Sequence, residues 1–182
     1  MTVHEITPEE REEMMEEAMK NMKVKRQHLS REELEKEIID YLSKKQPCSL
    51  ATCGKDCVPR ISVVDYVNDG LTIYIISEGG DKFKNLKENN RVAMGIGTGA
   101  KALKTRGINI WGIADVFAEG DPEFKNDLKL FKTIFEEMAQ ALGITSGIPL
   151  PRDLLRLIRV TPTKMVYHHT MAGIKHALWT RS

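Results

Sequence analysis

The chain has 182 residues, of which 41% are hydrophobic and 29% charged, and its formal net charge is +1. This size and composition are typical of one soluble globular domain, with or without an extension, that can bury a core. A net charge so close to zero predicts no general attraction to nucleic acid or to a membrane surface. No apolar run approaches the roughly 18 residues of a spanning helix, and the acidic N-terminus does not read as a signal peptide, so we expect a cytoplasmic protein.

Two capping boxes predict two helices at the start of the chain. The first begins at Thr7, with glutamates in its early turns and lysines in its late ones, and the second begins at Ser30. The only apolar stripe of the first helix consists of Met14, Met15, Ala18, Met19 and Met22. We expect this stripe to pack against the body of the protein or a second subunit. The chain therefore divides into an acidic helical extension, residues 1–29, and a main domain, residues 30–182.

After Pro47 the hydrophobic period changes from that of a helix to that of a strand. Alternating or short apolar runs predict strands at residues 48–53, 58–67, 71–77, 91–97, 108–117 and 159–167. The sequence Asn-Asp-Gly at residues 68–70 is a hairpin signal. Helices are predicted at residues 81–89 and 121–142. Strands of one sheet, interrupted by helices that cannot all be crossovers, predict an α+β fold built on a small barrel.

Several hydrogen-bond donors are predicted to meet at one mouth of this barrel. Lys82 and Lys84 open a helix directly after a strand, where free amides and the helix dipole favour an anion. Ser77 ends that strand, and hairpin pairing brings Arg60 and Ser62 of the preceding strand beside it. Arginine can hold a phosphate through two bonds, and lysine adds a point charge. This pattern indicates a phosphate-bearing ligand; the alternative is a solvated helix with ordinary surface lysines.

The three cysteines, Cys48, Cys53 and Cys57, match no zinc-binding spacing and have no histidine near them in the sequence. We therefore predict no metal site. Their interpretation is as reduced structural thiols, with a redox pair between Cys53 and Cys57 across a turn as the alternative.

Five motifs occur in a fixed order along the chain. They are Leu-Ala-Thr at 50–52, Pro-Arg at 59–60, a strand ending in Ser77, Lys-x-x-Asn-Leu at 82–86, and Arg-Val at 91–92. Together they resemble the pyridoxamine 5′-phosphate oxidase-like family of FMN-binding split barrels. The strands around residues 112–114 and 159–162 fit the later parts of that family.

The resemblance implies a six-stranded antiparallel split β-barrel with peripheral helices, which forms a homodimer with two flavin sites at the subunit interface. It implies that FMN is bound by Arg60, Ser62, Val63, Val64, Ser77, Lys82 and Lys84, together with the partner subunit's Trp111. For Trp111 the alternative is a core position, as is common for tryptophan on a strand.

Two departures from the family pattern separate the chain from the oxidases that act on vitamin B6. The Gln-Val-Arg of those enzymes is replaced by Gly-Ile-Asn at residues 107–109, and their Glu-Phe-Trp by Val-Tyr-His at residues 166–168. The tail does resemble their terminal Leu-His-Asp-Arg. The resemblance therefore offers Asn109 and Arg181 as candidate substrate contacts but does not imply oxidation of vitamin B6.

The resulting prediction is an FMN-dependent oxidoreductase with a small-molecule substrate or electron donor, in which no side chain is assigned as catalytic. One alternative is the deazaflavin F420, whose anionic tail could meet the basic loop with Lys101, Lys104 and Arg106. Another is a flavin carrier or sensor without turnover. A third is haem binding through His168 or His169. The alternative for these histidines is that they belong to a partly exposed terminal segment and bind no ligand.

Overall fold

A computed structural model describes residues 6–44, 47–97, 105–144 and 154–182. Its α-helices are α1 (Pro8–Asn21), α2 (Arg31–Leu42), α3 (Lys82–Glu88), α4 (Pro122–Asp127) and α5 (Lys132–Ala141). Its strands are β1 (Cys48–Cys53), β2 (Pro59–Val64), β3 (Val67–Asp69), β4 (Thr72–Ser77), β5 (Arg91–Gly97), β6 (Arg106–Ala118), β7 (Arg156–His169) and β8 (Ile174–Thr180). Short 3-10 segments lie at Leu128–Phe131 and Thr170–Ala172.

The strands form one antiparallel sheet in the order β2-β1-β5-β6-β7-β4-β3, with β8 also paired to β7. Within the described ranges the end strands β2 and β3 do not pair with each other, so the barrel is split. The predicted α+β fold class is confirmed. Eight strands are present where the resemblance implied six, because the hairpin at Asn68 adds the short β3 and the C-terminal segment returns as β8.

The main core lies between α2 and the inner face of the sheet. Strand β1 shows the alternation that creates this face, since Cys48, Leu50 and Thr52 are buried while the residues between them are not. From α2 the core takes Ile38 and Leu42, which are fully buried and four residues apart on one helical face. The sheet therefore has an inner face that packs against the main core and an outer face, part of which stays exposed on β1 and β2.

A second apolar cluster lies under the segment predicted as one helix over residues 121–142. That segment is interrupted, since α4 and α5 are separated by the 3-10 turn Leu128–Phe131. Phe124 and Phe131 are both buried there against Val67 and Leu157. The tightened turn accompanies the burial of two phenylalanines seven residues apart.

The N-terminal segment is attached to the body of its own chain. Both predicted capping boxes are confirmed, and Met19 is the buried member of the methionine stripe. After α1 the backbone N–H of Gln27 donates to the carbonyl oxygen of Gly173 at 3.0 Å. Gly173 has a φ of +75°, and a Cβ added there would lie 2.0 Å from the carbonyl oxygen of Lys25. Only glycine therefore permits this contact between the two ends of the chain.

No helix among the described residues is both long and apolar enough to span a membrane.

Candidate functional site

The loop between β4 and α3 brings two of the predicted phosphate donors to one carbonyl group. Ser77 ends β4, and its hydroxyl donates to the carbonyl oxygen of Gly79 at 3.4 Å. Lys82 begins α3, and its Nζ donates to the same oxygen at 2.5 Å. Burial lowers the pKa of Lys82 from its ordinary value. Because their shared partner is a neutral carbonyl, both donors can turn to an anion without breaking an ion pair.

A carboxylate that the sequence reasoning missed holds the other two cations. Arg60 on β2 donates from Nη1 to Asp81 at 2.6 Å, and Nζ of Lys84 lies 3.0 Å from the other carboxylate oxygen. The hydrogen bond from Lys84, followed by the charge of Arg60, lowers the pKa of Asp81. Its position three residues before Lys84 at the start of a helix was a usable signal for this pair. The predicted phosphate site thus combines three cations with one anion.

Strand β2 divides its predicted site residues between the two faces of the sheet. Val64 packs against the main core, and Ser62 pairs with the buried Leu50 on the same face. Val63 lies on the outer face, where it is 74% exposed. Only Val63 can therefore offer its side chain to a ligand on the outer face, and Val64 is limited to its backbone there.

The outer face carries an exposed apolar surface across four strands. Two rows of paired residues form it, namely Ile61, Ala51, Ala93 and Trp111, and next to them Val63, Ser49, Gly95 and Asn109. Ile61 is 72% and Trp111 41% exposed, so the alternative of a core tryptophan is wrong. Nζ of Lys164 lies 5.0 Å from the centre of the Trp111 ring. Predicted contacts Val63, Asn109 and Trp111 therefore share one surface, which we call the outer apolar face.

Arg181 does not join this surface. Its Nε donates to the carbonyl oxygen of Pro162 at 2.8 Å, and its guanidinium lies 5.9 Å from the ring centre of Trp179, a core residue. The two candidate substrate contacts, Asn109 and Arg181, thus have different surroundings.

Arg106 is a structural residue rather than part of a basic loop. It opens β6, and its side chain is only 14% exposed. Its Nε donates to the hydroxyl of Tyr167 at 2.7 Å, while Nη2 lies 3.3 Å from Glu37 and 3.2 Å from Asp40 on α2. Burial raises the pKa of Tyr167 to about 12. The companion residues Lys101 and Lys104 lie outside the described ranges.

The adjacent histidines near the end of β7 have different neighbours. His168 contacts His176 edge to face, with ring centres 5.4 Å apart. Burial, followed by the charge of Arg106, lowers the pKa of His169, whose buried Nδ1 has no hydrogen-bond partner among the residues that the structure describes. Burial also lowers the pKa of His168, so both rings favour the neutral form.

A cavity of about 440 Å³ adjoins the Ser77–Gly79 end of the site. Asp65, Ser77 and Glu78 supply polar groups, while the remaining wall is largely apolar and includes Phe131, Ile134, Phe135 and Met138. The sequence reasoning missed this cavity, because the apolar face of residues 121–142 read as ordinary core. It could receive an apolar ligand group beside the phosphate donors.

A family model described as pyridoxamine 5′-phosphate oxidase matches residues 34–169. No curated protein gives a significant match.

Solved structures with different reported functions share the fold. A suggested pyridoxamine 5′-phosphate oxidase from Listeria innocua is 21% identical over 74% of this chain and 98% of its own, with a TM-score of 0.55. The haem storage protein HutZ from Vibrio cholerae is 18% identical over 76% of this chain and 98% of its own, with a TM-score of 0.57. An F420 reductase is 21% identical over 69% and 93%, with a TM-score of 0.50. At these identities the similarity establishes the fold alone.

Proposed function

Because the chain belongs to the pyridoxamine 5′-phosphate oxidase family, we propose that it is an FMN-binding flavoprotein that acts as an oxidoreductase on a small molecule. One observation carries the proposal: Ser77, Lys82, Arg60 and Lys84 converge on the backbone and side chain of residues 79–81. Such a group of mobile donors suits the phosphate of FMN.

The charges of this group fit a phosphate monoester. Three cations against Asp81 and the adjacent Glu78 leave a net charge of about +1, which favours a phosphate that carries nearly two negative charges at neutral pH. The side chain of Lys84 is 83% exposed and that of Arg60 about half exposed. Exposed ion pairs are worth about 0–1 kcal/mol, so Arg60 and Lys84 can exchange Asp81 for the ligand at little cost.

Bound FMN would supply hydride or electron transfer, which leaves binding and orientation to the protein. In this proposal Ser62 and the backbone of Val64 contact the ribityl chain and ring edge, and Val63 lies against the ring. Asn109 is a candidate substrate contact on the outer apolar face, and Arg181 a candidate contact near the C-terminus. The cavity beside Ser77 would accept an apolar part of the substrate.

The proposed functional unit is a homodimer that buries the outer apolar face and brings in the partner subunit's Trp111. Exposed apolar side chains in register, among them Ile61 and Val63, support this pairing because a contiguous patch of this kind commonly marks an interface. We expect a dimer by light scattering after size exclusion, and a monomer for Val63→Arg. A wild-type monomer that holds a full complement of FMN would contradict the shared site.

Cofactor identity is tested first on the purified protein, by its absorbance spectrum and by mass spectrometry of whatever heat releases. Flavin bands with released FMN support the proposal. A deazaflavin mass would instead support F420, in line with the fold shared with an F420 reductase. A Soret band would support haem, for which the relevant observation is the buried Nδ1 of His169, without a hydrogen-bond partner among the described residues. Flavin without oxidation of a reduced nicotinamide would favour a carrier or sensor.

The phosphate site is tested by Lys82→Ala, with Lys87→Ala on the same helix as the matched control. We expect Lys82→Ala to weaken FMN binding about tenfold, since one charge-assisted hydrogen bond is worth about 1.5 kcal/mol. Its melting temperature should stay unchanged, and Lys87→Ala should change neither quantity. Equal FMN affinity in the wild type and Lys82→Ala would show that the phosphate does not bind at this loop.

A further inference from the structure

The turn between β1 and β2 holds a cysteine in a backbone conformation that usually belongs to glycine. The carbonyl oxygen of Gly54 accepts from the backbone N–H of Cys57 at 3.2 Å, which closes a four-residue turn. Cys57 follows the two central turn residues with a φ of +56°, in the left-handed region. Cys53 pairs with Pro59, so the loop comprises residues 54–58. Glycine is the ordinary residue where such a loop needs a positive φ. Strained backbone conformations cluster at functional sites, so a nucleophilic side chain at such a position is a candidate for a chemical role.

That side chain lies beside a second thiol. Cys53 is the last residue of β1 and is half-buried, whereas Cys57 is exposed. Burial, followed by the charge of the neighbouring Cys57, raises the pKa of Cys53, and the Sγ of Cys53 donates to the carbonyl oxygen of Gly54 at 3.3 Å. The third cysteine, Cys48, is buried at the other end of β1, and burial raises its pKa to about 12. One reachable thiol and one adjacent, sheltered thiol are thus paired, and the third is kept apart.

We propose that Cys53 and Cys57 form a dithiol site that small-molecule disulfides oxidise to an intrachain disulfide. The Cys57 thiolate attacks one sulfur of the small disulfide, so a mixed disulfide forms and one small thiol leaves. Cys53 then gives up its proton and attacks the sulfur of Cys57, and the second small thiol leaves. In total the protein loses two electrons and two protons, and the small disulfide becomes two thiols.

The order of the two steps follows from exposure. Cys57 is exposed on the turn and can meet a reagent from solvent, whereas Cys53 is half-buried at the strand end, four residues from the cysteine whose sulfur it must attack. Closure joins residues four apart in sequence within a turn that is already closed by the Gly54–Cys57 hydrogen bond. It therefore requires little further ordering of the backbone. The proposal does not depend on flavin binding.

The test uses the reduced full-length protein with oxidised glutathione, followed by intact mass and peptide mapping after alkylation of the remaining thiols. The wild type should lose two hydrogens and retain no glutathione. Cys53→Ser should retain one glutathione on Cys57, since nothing displaces it. Cys57→Ser should retain at least about tenfold less glutathione than Cys53→Ser, because the half-buried Cys53 reacts slowly. Cys48→Ser should behave as the wild type.

Three results would overturn the proposal. The first is glutathione that stays on Cys57 of the wild type, and the second is a disulfide that includes Cys48 or a second chain. The third is a disulfide between Cys53 and Cys57 that forms no more favourably in the folded protein than in urea. Circular dichroism of each variant shows that it is folded before its result is read. If Cys57→Ser is misfolded, Cys57→Ala replaces it, with the same expected loss of reaction.

Discussion

Arg60 and Arg106 are both arginines that the sequence suggested for an anionic ligand, and the structure gives them different surroundings. Arg60 reaches Asp81 on an exposed surface, with Lys84 on the same carboxylate. Arg106 is held between β7 and α2 by Tyr167, Glu37 and Asp40, and its guanidinium lies 4.8 Å from the ring centre of Tyr41. The first arginine can be released to a ligand. The second is part of what joins α2 to the sheet.

The difference lies in the exposure of the two arginines rather than in the number of contacts. Water can replace each partner of an exposed pair, so exchange for phosphate costs little. The side chain of Arg60 is 53% exposed and that of Arg106 only 14%. Removal of Arg106 would leave the buried Tyr167 hydroxyl without the N–H that it accepts from, although this hydroxyl still donates to Glu37. Substitution of a buried cation such as Arg106 is therefore expected to change the stability of the fold, whereas substitution of an exposed cation such as Arg60 is expected to change ligand binding.

The largest expected effect is on the stability of an Arg106 variant. Arg106→Met keeps the aliphatic volume but removes the donor, and we expect a loss of about 2–3 kcal/mol in the free energy of unfolding. Urea unfolding measures it. Arg60→Met, the matched control on the exposed surface, should change the same quantity by less than about 1 kcal/mol. Equal losses for the two variants would contradict the comparison.

A smaller effect is expected at Asp81, which competes with the ligand for Arg60 and Lys84. Asp81→Asn should tighten FMN binding by about three- to tenfold at low salt, which is about 1 kcal/mol, and less at high salt. Titration followed by flavin fluorescence measures it. Glu78→Gln removes one negative charge from the adjacent loop without touching the two cations. If Glu78→Gln tightens binding as much as Asp81→Asn, Asp81 acts only through the general charge of the loop.

The smallest expected effect separates the two regions by pH. His169 faces Arg106, Glu37 and Lys44, and its pKa is lowered from 6.5, so below that value the unfolded chain binds more protons than the folded one. Stability should therefore fall as pH drops through about 6.5, and His169→Gln should flatten this part of the curve. Asp81 has a pKa lowered from 3.8, so the stability that it contributes is lost only as pH falls below that range. Urea midpoints measured from neutral to acid pH test both. The Asp81→Asn curve should differ from the wild type at neutral pH and meet it in acid, and a difference that persists unchanged in acid would contradict the assignment.

The fold was predictable from the sequence to a large extent, because its signals are local. The capping boxes at Thr7 and Ser30 and the alternation in residues 48–53 each follow from neighbouring residues and agree with the structure. The site was less predictable. Asp81 stood in the sequence beside Lys82, but its role depends on Arg60, which is 21 residues away and meets it only in the folded chain.

Burial, which a single sequence does not reveal, decided two further residues. Arg106 was assigned to a loop because lysines and glycines precede it, although Tyr167, 61 residues later, receives its hydrogen bond. Trp111 was predicted as a flavin contact with a core position as the alternative, and its strand position places it on the outer apolar face. In each case the deciding contact was non-local.

The hydrogen bond between Gln27 and Gly173 also bears on how the protein is made. Gly173 is synthesised long after Gln27, so the segment after the first helix cannot make this contact until the ribosome has translated the hairpin of β7 and β8. A segment translated earlier therefore waits for one translated later. Its attachment should be a late folding step, with the high contact order that so distant a pair requires.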